Sequence, residues 1–154
     1  MTIDLKEELC AVFAGALAEV VSTTTGLALD MVSTMQDDGF GEMVGIMNLN
    51  SKNRGLIFIS AEEEDVRMLY SCMTGVPVEQ VGEDDMSDTL CELVNMTAGS
   101  VKLRIKDPDY MFSLSSPFVI RGTDISMVTK KRVPVISRML RGEKIAVKIK
   151  VVYS

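Results

Sequence analysis

The chain has no histidine among its 154 residues, so the commonest general base and the commonest metal ligand are both missing. Cysteine is scarce as well. Cys10, Cys72 and Cys91 are odd in number and widely spaced, so neither a disulfide framework nor a zinc site is expected. Basic clusters are also few. The net charge is −6, which speaks against nucleic acid and anionic membranes as partners, since both are held by grouped Lys and Arg. The short run Lys130-Lys131-Arg132 reads as a solvated strand or loop end. No run of about 18 uncharged apolar residues occurs, so no membrane span is expected. The N-terminal helical pattern carries Lys6, Glu7, Glu8 and Glu19, unlike a signal peptide. These exclusions leave an acidic, reduced, cytoplasmic protein. At 47% hydrophobic and 25% charged residues, one domain over residues 1–154 is expected, burying roughly 70% of its extended surface. Twelve methionines offer an adaptable core or contact surface.

What the chain does have is concentrated between Asp88 and Lys102. At about 100° per residue, Asp88, Glu92, Asn95, Gly99 and Lys102 share one side of a helix. Leu90, Leu93, Val94, Thr97 and Val101 share the other, which predicts an amphipathic helix with a buried stripe. The polar side is unusual for a solvated face, because Asn and Gly are poor helix formers. Glu92 and Asn95 are helical neighbours, roughly 5–6 Å apart at Cβ. An amide near neutral pH is no base, but it can accept from a water while donating to an electronegative oxygen. It can therefore position a nucleophilic water, acting by orientation and not by proton transfer. Glu92 could act as a base, or as an anion gripping a partner's lysine or metal.

A helix surface is convex, so the pair alone encloses no pocket. It would serve best inserted into another protein's cleft, with Met96 and Leu103 supplying apolar contacts. Gly99 would let a partner's backbone come close. Plainer readings stand beside this one. The two residues could simply face solvent. Asp88 with Glu92 imitates a glycosidase pair, though that chemistry needs a deep cleft between two elements. Cys91 reads as a small buried residue whose thiol keeps an ordinary pKa of about 8.5.

Along the rest of the chain, Asp4 and Glu7 form a capping-box pattern opening a helix through about Thr23. Its apolar stripe is Leu5, Leu9, Val12, Phe13, Ala16, Leu17 and Val20. Leu27 to Met35 is a candidate strand ended by Asp37-Asp38-Gly39. Glu42 to Leu49 and Gly55 to Ile59 predict a hairpin across Asn50 to Arg54. Ser60 and Glu63 suggest a second capping box, for a helix that ends at Gly75. Glu83-Asp84-Asp85 reads as an acidic linker, with Asp85 or Ser87 capping the long helix. That helix should stop before Asp107-Pro108. Tyr110 to Ser115 and Phe118 to Ile120 read as extended. Val128 to Leu140 reads as a strand whose Pro134 marks an edge or a bulge. In the last strand, Lys144 to Tyr153, apolar residues alternate with Lys148 and Lys150, which predicts one wet face.

Glu8-Leu9 with Ala14-Gly15 matches Glu92-Leu93 with Ala98-Gly99 at the same offset, which suggests an αβ duplication, with coincidence as the alternative because these residues are common in helices. The first copy has Ala11 where the second has Asn95. At Asp88 and Glu92-Leu93-Val94-Asn95-Met96-Thr97-Ala98-Gly99, with Pro117 following, the chain resembles the CheC/CheX/FliY phosphatases, and CheX in particular. The resemblance implies an α+β fold (an α/β sandwich): a mostly antiparallel sheet packed by two long helices, with pseudo-two-fold αβ duplication. It implies a phosphatase that hydrolyses the aspartyl phosphate of a CheY-like response regulator in chemotaxis or related two-component signalling. Asn95 would orient water in line with phosphorus, and Glu92 would pair with the regulator's lysine. Asp88, Met96, Gly99, Lys102 and Leu103 would form the partner-binding surface. No cofactor is expected in this chain, Mg²⁺ belonging to the regulator, and a homodimer is expected. The rival reading is a non-catalytic adaptor of the same fold, resembling a flagellar-switch component.

Overall fold

Apolar periodicity accounts for the helices and for the face that each one buries. The computed structural model describes residues 1–32 and 39–153. Within them the order is α1 (Ile3–Thr25), β1 (Asp30–Met31), β2 (Met43–Leu49), β3 (Gly55–Ala61), α2 (Glu63–Thr74), α3 (Glu83–Arg104), β4 (Phe118–Arg121), β5 (Val135–Arg141) and β6 (Ala146–Tyr153). In α1 the buried side includes Leu9, Phe13, Ala16, Leu17 and Val20, the three- and four-residue spacing of one helix face. By length and mean hydropathy α1 could cross a membrane. Here its apolar side packs on α3 and the sheet.

The helix caps differ from those read locally. Thr2 caps α1, its hydroxyl accepting from the Leu5 N–H at 3.2 Å, so Asp4 lies inside the first turn and the Asp4–Glu7 box does not open the helix. Ser60 lies within β3, and its Oγ accepts from the Gly41 N–H at 3.2 Å. The Glu63 N–H that opens α2 donates instead to the Glu42 carboxylate, also at 3.2 Å. A residue remote in sequence thus replaces the expected Ser60–Glu63 box. Gly75 closes α2 in the left-handed conformation, at φ 80°, which only glycine adopts without cost. Glu83-Asp84-Asp85 is no linker but the first turn of α3, where carboxylates meet the positive end of the helix dipole. Asp85 accepts from the Gly82 N–H at 3.0 Å, whereas Ser87 lies further inside the helix and caps nothing.

The six strands among the described residues form one sheet, ordered β1-β5-β6-β3-β2-β4, and every pairing is antiparallel. The hairpin of β2 and β3 forms as predicted. Exchanging the first three strands with the last three reproduces the order backwards, so the sheet has a pseudo-two-fold between β3 and β6. The helices follow it: α1 packs on β5 as α3 packs on β2, and the two pack on each other. α2, the shorter helix expected to end at Gly75, breaks the symmetry as the connector between the two long helices.

Other spans shorten. The strand expected from Val128 begins only at Val135, because the chain turns at Lys131-Arg132 and Arg132 takes φ 80°. Pro134, which has no N–H to donate, stands just before it. Tyr110 to Ser115 is not a strand: Pro108–Tyr110 forms a turn of 3-10 helix and only Ser113 bridges to Asn50. Of the Leu27 to Met35 candidate, Asp30–Met31 is a strand; the part around Thr34, with Asp37-Asp38, lies outside the described residues.

One face of the sheet, with Met43, Met47, Ile57, Ile59, Val147 and Val151, is buried with the helices. The other is not the wet face that Lys148 and Lys150 implied. Lys150 is 4% exposed, with its ammonium 4.7 Å from the centre of the Phe40 ring. Val44, Ile46, Phe58 and Val152 form a second apolar cluster there, packed with Phe40, Ile125, Met127 and Val133. Lys148 donates to the Gly39 carbonyl at 3.1 Å. The segment between β4 and β5 folds back over this face and excludes the water that alternation alone would allow.

Candidate functional site

The candidate site is the outward face of α3, and its rigidity comes from how that helix is seated. Met86, Thr89, Leu90, Leu93, Val94, Thr97, Ala98 and Val101 are buried, the predicted stripe with three further positions. Gly45 of β2 permits the close approach: a Cβ there would stand 2.8 Å from Val94 Cγ2 and 3.3 Å from the Leu90 carbonyl. The register Val119↔Gly45 and Phe118↔Ile46 then sets β4, and Pro117 just ahead of it, along the same side of the seat.

Both ends of α3 are tied. The Arg121 guanidinium of β4 pairs with Glu83 at 2.7 Å and with Glu63 at 2.9 Å, joining the N-terminal ends of α3 and α2. These carboxylates hold the Arg121 pKa above its usual value, Glu83 contributing most. At the far end, Arg104 pairs with Glu19 of α1. Exposed pairs of this kind add little to stability, so their effect is chiefly on orientation. Sequence reasoning had no signal for the Arg121 clamp, which exists only through the sheet register.

The outward face brings the expected residues together. Asp88, Glu92 and Lys102 are exposed, and Asn95 and Gly99 are half-buried. Within the described residues no hydrogen bond or ion pair engages the Glu92 or Asn95 side chain, so both present their full bonding capacity outward. A Cβ on Gly99 would meet nothing within 4 Å, so the helix surface is open beside Asn95. Leu103 is 88% exposed, a large apolar side chain in water next to Lys102. Met96 differs from the rest: it is half-buried and packed against the core, so only its edge reaches the face.

Cys91 is half-buried on the flank of α3. Burial, with the Asp88 carboxylate adding to it, pushes its thiol above the ordinary value. That corrects the expectation of an unperturbed thiol and makes it a poorer nucleophile near neutral pH. Tyr70 of α2 is a neighbour the sequence did not flag; burial and the Asp85 and Asp88 carboxylates push its phenol up. Two clefts of about 530 and 540 Å³ open elsewhere. One lies by Gly26, Asp30 and Arg141, the other by Phe40, Glu42 and Thr123. Among the described residues no group of three or more Cys, Asp or Glu could hold a metal ion.

A single antiparallel sheet with pseudo-two-fold helices on one face is the fold of chemotaxis proteins of the CheX and CheC type. The chain superposes on CheX from Vibrio vulnificus at TM-score 0.82 and 19% identity, covering 96% of this chain and 99% of that one. A CheC-like superfamily protein from Shewanella sp. PV-4 gives 0.82 and 22%, covering 100% and 99%. A chain of the CheX–CheY–BeF3–Mg²⁺ complex from Borrelia burgdorferi gives 0.74 and 16%, covering 92% and 95%. These likenesses establish the fold. A comparison with curated proteins gives no match. The model of the family "Chemotaxis phosphatase CheX" matches residues 43–139, and the chain belongs to that family.

Proposed function

We propose that this protein is a response-regulator phosphatase that lends the α3 face to the active site of a phosphorylated CheY-like receiver. The observation that carries the reading is the pair on α3. Glu92 and Asn95 stand one helical turn apart on an outward face of a CheX-family chain, with no hydrogen bond or ion pair to either side chain among the described residues. Inserted beside the receiver's aspartyl phosphate, the Asn95 amide oxygen accepts from a water and its NH₂ donates to a phosphoryl oxygen. The water oxygen then bonds to phosphorus in line with the breaking P–O bond. The receiver's aspartate leaves as carboxylate and the water's proton passes to the phosphate. Glu92 pairs with a receiver lysine and fixes the dock, while Asp88, Gly99, Lys102 and Leu103, with the edge of Met96, form the rim. Mg²⁺ would reside on the receiver, in keeping with the Mg²⁺ in the Borrelia burgdorferi complex. Receivers of this kind are cytoplasmic, and the protein would act there.

Adding the protein to a phosphorylated receiver from the same organism and following loss of phosphate tests this. Asn95→Ala is expected to slow hydrolysis by about 10²-fold with a smaller effect on binding, because only orientation of the water is lost. Replacing Glu92 is expected to weaken docking by about 2–5 kcal/mol if its ion pair is desolvated in the complex. No acceleration with any receiver would remove the enzyme reading. Binding without hydrolysis would favour the adaptor, which has no need of Asn95.

A further inference from the structure

The pseudo-two-fold of the sheet turns a faint sequence match into a comparison of surfaces. It carries α3 onto α1, since α1 rests on β5 as α3 rests on β2. Residue for residue, Asp4 falls where Asp88 does, Glu8 where Glu92 does, and Gly15 where Gly99 does. The burial pattern follows: Leu9 and Leu93, Cys10 and Val94, Phe13 and Thr97, Ala14 and Ala98 all point inward. Asp4, Glu8, Ala11 and Gly15 are all exposed, and a Cβ on Gly15, as on Gly99, would meet nothing within 4 Å. The α1 face therefore keeps the docking carboxylate and the open glycine, and lacks the amide.

We infer that α1 presents a second docking surface for the same phosphorylated receiver, one that binds and does not hydrolyse; this rests on the reading of α3 above. The occupant follows from the chemistry retained. Glu8 offers the receiver lysine the same anion at the same height on the helix as Glu92. Ala11 has a methyl group where the water-positioning amide would stand, so the docked aspartyl phosphate keeps only its own hydrolysis rate. Two departures make this the weaker dock. Glu19 falls where exposed Leu103 does, which removes the apolar contact, and Glu19 is held by Arg104. Bound here, a phosphorylated receiver is held intact while another is dephosphorylated on α3.

The test uses the full chain and the receiver that it turns over, loaded with beryllofluoride and Mg²⁺ as a stable phosphoryl mimic. Titration calorimetry is expected to show two receivers per chain, the second weaker by on the order of tenfold, or about 1.4 kcal/mol. Glu8→Arg should remove the weaker event and Glu92→Arg the stronger, with circular dichroism confirming that each variant is folded. Adding Ala11→Asn to Asn95→Ala should raise hydrolysis at least tenfold over Asn95→Ala alone, since the new amide can position water on α1. One receiver per chain alongside normal wild-type hydrolysis would overturn this inference and leave the α3 reading standing, as would no gain from Ala11→Asn. Failure of wild type to bind any receiver would overturn both.

Discussion

Two glycines on opposite sides of α3 do opposite work. Gly45 lies beneath the helix, where a methyl group would press on Val94 and Leu90. Gly99 lies on top of it, where a methyl group would enter open space. Alanine is a better helix former than glycine by about 0.8–1.0 kcal/mol. Gly99→Ala is therefore expected to raise the stability read from a urea transition by about that amount. If a receiver's backbone approaches α3 at this point, the same substitution should weaken receiver binding. A more stable protein that binds less well would separate docking from folding at one atom. Equal binding would show that the receiver stands clear of Gly99, and that the glycine there is only a poor choice for the helix.

At the scale of elements, α3 works because neighbours distant in sequence hold it. β2 provides a flat seat, Arg121 of β4 ties its first turn to α2, and Arg104 ties its last turn to α1. The seat is the sensitive part, because packed interiors absorb extra volume poorly. Gly45→Ala should cost about 1–3 kcal/mol in urea denaturation as Val94 and the helix backbone move away from β2. It should also lower receiver hydrolysis, although Gly45 lies beneath the helix, away from the proposed docking face. If stability fell and hydrolysis per folded molecule did not, α3 would tolerate a shift of several tenths of an ångström without losing its geometry.

For the whole molecule, the sheet's end strand is the open question, and the homodimer expected from the family resemblance supplies an answer. Among the described residues β4 is an outer strand, so its far backbone edge is free to pair. Phe118 is 51% exposed and Ile120 is 39% exposed, both alternating with Val119, which packs against the main core. An exposed edge bearing large apolar side chains is a template for association. We expect two copies to meet across β4, leaving the α3 faces free, and sedimentation velocity to give twice the 16.9 kDa chain mass. Phe118→Lys should shift that boundary toward the monomer. A wild-type boundary at the monomer mass would rule the dimer out.

Much of this protein is legible by eye along the chain because its helices are amphipathic. The stripe and polar face of α3, the burial of α1, the β2–β3 hairpin and the Gly75 stop are all local, set by side-chain period or by one residue's allowed dihedrals. The pairing of Glu92 with Asn95 is legible for the same reason, since residues three apart on a helix share a side whatever surrounds it. What depended on distant chain segments was not. Glu42 caps α2 in place of Ser60, Arg121 joins two helix ends, and Lys150 is buried beneath a returning loop. The sequence by itself determined which way each residue points along its own helix or strand. Only the tertiary structure decided what stands opposite it: water, a carboxylate, a ring or an open surface. Periodicity is a property of a segment, whereas exclusion of water is a property of the segments that come back to cover it.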